Sequence, residues 1–216
     1  MLRQTFPAIM TVLIFTLLCG IVFPFAVTAI AQVAFPHQAN GSLLRDGERV
    51  IGSELLGQNF TAPAYFHPRP SAAGAGYDAA NSAGTNLGPT SDKLINGIHL
   101  QLPNGDADPS NFDGVTDLAA LYREENSLPP DTAVPADAVT RSASGLDPHI
   151  SPANADLQVP RVAHARGVSE DIVRRLVAEN TEPRLLELFG EPRVNVLLLN
   201  IALDEEYEAP PGDIGR

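Results

Sequence analysis

Residues 8–30 read AIMTVLIFTLLCGIVFPFAVTAI, 23 positions with threonine as the only strongly polar side chain. No Asp, Glu, Lys or Arg occurs from Gln4 to Leu44. Coiled as an α-helix the run rises roughly 35 Å, enough for a hydrocarbon core of about 30 Å. A cleaved secretory signal is the competing reading, since Arg3 supplies a short positive leader and Ala29, Ile30 and Ala31 offer small residues at cleavage spacing. The apolar core of such a signal is roughly 7–15 residues, about half of what stands here. The run therefore reads as an uncleaved anchor over residues 1–35, with the transmembrane helix at about residues 8–30.

Within the span, Thr16, Gly20, Pro24 and Thr28 recur every four residues. Small residues at that spacing let a second helix approach closely, which makes the four a candidate helix-docking stripe. Pro24 is expected to kink the helix or to free a carbonyl locally. Orientation is weakly signalled: Arg3 and the α-amino group flank one end, Arg45 and Arg49 the other. The chain carries a formal charge of −12 with Lys93 as its one lysine, and long domains translocate largely regardless of charge. The soluble part is accordingly expected outside the cytoplasm, on a single-pass membrane protein.

About 180 residues follow the anchor, a length that suits one domain. The fold class expected is a single N-terminal transmembrane helix followed by one mixed α/β soluble domain over residues 36–203, loop-rich at 67–114, with an acidic tail at 204–216. Residues 114–126 predict a short amphipathic helix with Leu118, Leu121 and Tyr122 on one face. Ser151 and Pro152 have the N-cap and first-position signature of a helix that Gly167 ends, with Pro160 expected to interrupt it. A second helix follows Ser169 and buries Ile172, Val173, Leu176 and Val177. Residues 138–140 and the apolar run 194–203 read as strands, whereas residues 49–60 show no clear period. The acidic balance lacks any Lys/Arg stripe, which excludes nucleic-acid backbone as a partner.

No phosphate-binding glycine loop, zinc-binding His-Glu-x-x-His helix or Gly-x-Ser-x-Gly elbow occurs, and the five histidines are scattered. No catalytic or metal-ligating residue is assigned on these grounds. One run stands out: Ser144, Gly145, Leu146, Asp147, Pro148 and His149, which lead into Ser151-Pro152. An anchored or secreted periplasmic hydrolase using Ser144, Asp147 and His149 is one reading of it, and a free periplasmic binding module is another class to weigh. Triad members normally converge from separate elements, however, while Gly, Asp-Pro and Ser-Pro each have local turn and capping roles. The run reads as a structural or partner-contact motif.

Together with residues 38–43, 69–72 and 86–89, and with Gln158, Arg161, Glu191, Arg193 and Asn195 in the blocks that follow, this run resembles the C subunit of the Kdp-type potassium-transporting ATPase. The resemblance covers roughly residues 5–203 in the same order. Arg141 and Ala143 depart from the small residues usual there, and residues 99–114 look like an insertion. The resemblance implies an accessory, non-catalytic subunit that assists assembly and ATP use as a catalytic chaperone for potassium import. It also implies its partners: a potassium-channel-like subunit, a P-type ATPase subunit, a small single-span subunit and the lipid bilayer. No bound cofactor is implied for this chain; ATP enters through the ATPase subunit, and no residue here is assigned to it.

Overall fold

The computed structural model describes residues 2–102 and 104–207, which divide after Ser53 into two compact units. The first is dominated by one helical rod: α1 (Leu2–Leu17), a π-helical turn (Leu18–Val22) and α2 (Phe23–Ala34). From Arg3 to Ala34 it runs 32 residues, and its apolar 18-residue window has mean hydropathy 2.5 with none of it buried. Among the described residues it is the one helix long and apolar enough to cross a membrane. Thr16, Gly20, Pro24 and Thr28 are all exposed on it. The effect expected of Pro24 takes the form of the wide turn: the Phe23 N–H reaches back to the Leu18 carbonyl, a five-residue step immediately before the proline that lacks an N–H.

A one-turn helix, α3 (Pro36–Ala39), leads to an antiparallel hairpin of β1 (Leu43–Asp46) and β2 (Arg49–Ser53), bulged between Leu44 and Arg45. The reversal at Gly47 has φ +59°, a conformation open to glycine without steric cost. Residues 49–60 show no strand period because β2 fully buries only Ser53, and alternation is imposed only where one face is buried.

The second unit opens with long irregular stretches, as its Gly/Ala/Ser/Asn-rich sequence predicts, broken by α4 (Asp92–Asn96) and by the isolated antiparallel bridges Ile98–Phe112 and Gln101–Ala107. Then comes α5 (Val115–Glu125), whose start is held by the Asp117 carboxylate accepting the Gly114 N–H at 2.8 Å. Tyr122 is buried and Leu118 half-buried, but Leu121 is 53% exposed, so the buried face is narrower than the sequence suggests. The strand expected at 138–140 is instead α6 (Ala136–Val139). That turn packs Ala138 and Val139 against Tyr122 and aims Asp137 at the next helix, where its carboxylate accepts the Ser151 N–H at 2.7 Å.

After β3 (His149–Ile150) the chain forms α7 (Pro152–Arg166), with the Ser151 hydroxyl accepting the Asn154 N–H at 3.1 Å. Gly167, at φ +67°, ends it as expected, and the Val168 N–H returns to Ala163 O. Pro160 does not interrupt it. The carbonyl that loses its partner belongs to Asp156, and both residues lie on the exposed face, where water can satisfy it. Then α8 (Glu170–Glu179) buries Val173, Leu176 and Val177 and packs on α7. Two short strands, β4 (Thr181–Glu182) and β5 (Arg193–Asn195), complete an antiparallel sheet in the order β3-β5-β4.

The expected strand over 194–203 is the main correction. Only β5 is extended; Val196 begins α9 (Val196–Glu206), because the Asn195 side chain accepts the N–H groups of Leu197 and Leu198 at 3.1 and 3.2 Å. A fully buried helix and a buried strand give the same apolar run, so period alone does not separate them. Residues 204–206, expected as loose tail, are the last turn of this helix, and residues 208–216 lie outside the described residues. Acids at a helix C-terminus oppose its dipole, and Arg166 offsets this at Asp204 (2.8 Å), Arg175 at Glu206 (2.9 Å).

Between these helices threads an irregular segment, residues 63–67, in which Ala64, Tyr65 and Phe66 are almost wholly buried. It belongs to no sheet, so side chains serve its backbone. Asn200 accepts the Phe66 N–H at 2.9 Å and donates to Phe66 O at 3.0 Å; Gln158 does the same for His67, at 2.7 and 3.1 Å. Arg161 donates to Pro63 O and Tyr65 O, and Arg166 to Ala64 O. Replacing Asn200 by Leu keeps the volume but orphans two buried backbone groups. A loss of about 2–4 kcal/mol is expected, read as a lowered urea midpoint of the detergent-solubilised chain.

Candidate functional site

The run from Ser144 to His149 is where the irregular half of the second unit meets the helical half. Five successive carbonyls are taken from three other parts of the chain. Ser144 O accepts from Ala83 N and the Ser82 hydroxyl, Gly145 O from the Ser71 hydroxyl at 2.6 Å, Leu146 O from Gly57 N, and Pro148 O from Val196 N. The Tyr77 hydroxyl lies 2.9 Å from Arg69 O and 3.3 Å from Asp147 O and shares its proton between them. Gly145 stands at φ +68°, and a Cβ there would fall 2.6 Å from Ala83 O, so no other residue fits without moving the facing loop.

The side chains of the run serve the same loop. The Ser144 hydroxyl accepts the Leu146 N–H at 3.1 Å. One Asp147 oxygen accepts the His149 N–H at 3.0 Å and faces His149 Nδ1 at 3.3 Å, while the other pairs with Arg69 at 2.8 Å. Burial pushes the Asp147 carboxyl up, but the His149 hydrogen bonds and the Arg69 guanidinium outweigh it and hold it at about 2. Burial also raises the Tyr77 hydroxyl well above the usual phenol range. Ser144, Asp147 and His149 thus lie together, as parts of one braced turn, with the serine oxygen directed to its own backbone.

Beside this turn opens a cleft of about 340 Å³ lined by His67, Arg69, Tyr77, Tyr122, Glu125 and Gln158 among others. Its buried polar groups are already matched. Gln158 Oε1 accepts from His67 N and Arg161 Nη2, and its Nε2 donates to His67 O and Asn154 Oδ1. Arg161 also donates to Asn126 Oδ1 at 3.0 Å, and burial lowers its guanidinium below the usual range. Glu125 accepts from His67 Nδ1 at 2.8 Å; burial raises its carboxyl, but His67 and Arg161 bring it below the ordinary value. Among the described residues no buried side-chain N or O lacks a partner.

The remaining sequence-selected residues lie apart. Asn195 caps α9 and donates to Glu54 O at 2.8 Å; Arg193 bridges to Glu182 at 2.8 Å across β4 and β5; Glu191 pairs with Arg184 at the base of an exposed turn. Sequence reasoning missed Arg69 as the charge partner of Asp147, His67 with Glu125, and the amide of Asn200. Their partners lie 58 to 134 residues away, so no local spacing marks them. It also missed a grouping in residues 99–117: ligand atoms of His99, Asp113 and Asp117 lie within 4.8 Å of one another. There His99 Nε2 meets Asp117 at 2.9 Å, and the Gly114 N–H holds that carboxyl below its ordinary range, so the trio ties the loop to the start of α5.

A protein-family model described as "K+-transporting ATPase, c chain" matches residues 5–205. The chain is 52% identical over 204 residues to a protein of Mycobacterium tuberculosis named potassium-transporting ATPase KdpC subunit, covering 94% of this chain and 99% of that one. It is 52% identical over 212 residues to the same-named protein of Caulobacter vibrioides, covering 98% and 96%. That of Beijerinckia indica is 48% identical over 213 residues, covering 98% and 99%.

The Asp147 turn has a pH signature. A carboxyl held lower in the folded than in the unfolded chain binds its proton more readily when unfolded, so its stabilisation is complete above the unfolded value near 4. It fades as pH falls to about 2. The wild type should lose on the order of 2 kcal/mol across that window relative to Asp147→Asn, which starts less stable at pH 7 and lacks this slope. Urea midpoints of both chains from pH 7 to pH 2 measure the difference.

Proposed function

Because the chain belongs to the family of K+-transporting ATPase c chains, we propose that it is the membrane-anchored, non-catalytic subunit that steadies such a complex during potassium import. It assists assembly and ATP use by the subunit that is phosphorylated, in the sense of a catalytic chaperone. The observation that carries this is the braced Ser144–His149 turn: its serine, carboxylate and imidazole are committed to holding loops together, and the neighbouring cleft offers no unmatched buried polar atom. A surface kept in one shape suits a subunit that acts by contact.

The partners in this proposal are a potassium-channel-like subunit, a P-type ATPase subunit and a small single-span subunit in the inner membrane. The exposed Thr16, Gly20, Pro24 and Thr28 positions offer a close-approach face to a neighbouring helix. The second unit lies outside the cytoplasm in this reading. Its effect on ATP use then travels through the membrane subunits as a coupling free energy and not through contact with nucleotide. Arg161 and Gln158 shape the surface by holding residues 63–67, which supports a role for both in keeping a docking face in register.

Sidedness and assembly are tested together in intact cells. Ala79 is exposed, and Cys19, the one native cysteine, sits in the apolar helix. Ala79→Cys, made in a Cys19→Ser background, should react with a membrane-impermeant maleimide before lysis. Labelling only after lysis would place the unit in the cytoplasm and sink this topology. Affinity purification of the same chain in mild detergent should bring down the other ATPase subunits in fixed ratio.

A further inference from the structure

Residues 183–193 form an exposed turn between β4 and β5 whose apolar side chains take no part in the core. Leu185 and Phe189 pair as an antiparallel bridge, each backbone N–H donating to the other's carbonyl at 2.9 Å. Leu185, Leu186, Leu188 and Phe189 are 70, 79, 71 and 60% exposed. Together they make an apolar surface on the order of a few hundred Å², comparable to the largest apolar patch of an ordinary monomer, which is often functional.

The turn is built rather than frayed. Arg184 with Glu191 and Arg193 with Glu182 close its base. Leu186 and Glu187 stand at φ +54° and +60°, a conformation that crowds any residue with a Cβ and is costly for a leucine. Nothing in folding rewards a leucine there, since it touches no core; its side chain is displayed.

Charge selects what the turn meets. A segment that inserts into an anionic bilayer surface carries free Lys or Arg beside its apolar face. Here both arginines are paired, the free charge at the apex is Glu187, and the whole chain is at −12. A second copy docking turn against turn at a two-fold axis would set Glu187 against its own image. We propose that the turn is a docking plug for a different protein chain, one offering an apolar groove with a cationic residue placed to meet Glu187. This rests on the reading of the chain as a complex subunit, and it makes the turn a point of attachment outside the membrane helix.

The test uses the full complex, purified in mild detergent through a tag on this chain. Leu186→Asn suits the left-handed backbone and removes the apolar contact, so the melting midpoint of the free chain should hold or rise while partner recovery falls about tenfold or more. Phe189→Ser and Glu187→Lys should also lower recovery. Leu188→Cys, in a Cys19→Ser background, should be alkylated in the isolated chain and protected in the complex. Unchanged recovery for Leu186→Asn and Phe189→Ser, with Leu188→Cys equally reactive in both states, overturns the docking role while leaving the subunit reading intact. Protection of Leu188→Cys in liposomes holding this chain alone would assign the turn to lipid, and protection that grows with the concentration of the isolated chain would assign it to a second copy; either overturns it. Failure of the wild type to bring down any ATPase subunit overturns both readings.

Discussion

Buried backbone must be hydrogen-bonded, and in the second unit regular structure cannot do it. The sheet is three strands of two or three residues, yet irregular chain is packed inside at 63–67 and along 142–150. Side-chain amides and guanidinium groups take the place of strand neighbours. Asn200 and Gln158 each give one residue the donor and acceptor that an adjacent strand would have supplied, and Arg161 and Arg166 collect the carbonyls left over. Each link is worth little in net terms when made, and considerably more when one partner is removed. A fold held this way is intolerant at a few polar positions and is anchored to α7 and α9, which carry them.

The same constraint decides the chemistry of the Ser/Asp/His run. A nucleophile needs a free hydroxyl facing a base, while a loop joining three parts of the chain needs its acceptors and donors used locally. Ser144, Asp147 and His149 do the second: the hydroxyl takes an amide proton, the carboxylate bridges Arg69 to His149, and Gly145 allows the facing loop within van der Waals distance of the backbone. Residue types that suggest hydrolysis in a list are here the joint of the unit.

What the sequence discloses follows from how local each cause is. Ser151, Pro152 and Gly167 bound α7 correctly because a cap is decided within four residues. The span was legible because its length and lack of charge suffice. The switch from β5 to α9 was not, since it hinges on Asn195 folding back onto two amides within an unbroken apolar run. Pro160 misled because its cost depends on which face the orphaned carbonyl meets, and that face is solvent. At the site, Gln158 and Arg161 stood out through family resemblance alone, and their work at 63–67 shows only in three dimensions.

Charge use ties these points together. The chain has 14 Lys and Arg against 26 Asp and Glu, and much of the positive side is spent inward. Arg69, Arg161 and Arg166 donate to backbone carbonyls, Arg141 lies 4.3 Å above the Phe112 ring, and Arg123 holds Thr132 O at 2.9 Å. At a formal net charge of −12 the chain favours cationic over anionic partners. Attachment to such a surface comes through apolar area or through a partner's cations, and the turn at 183–193 presents both an apolar crest and, at its apex, the Glu187 carboxylate.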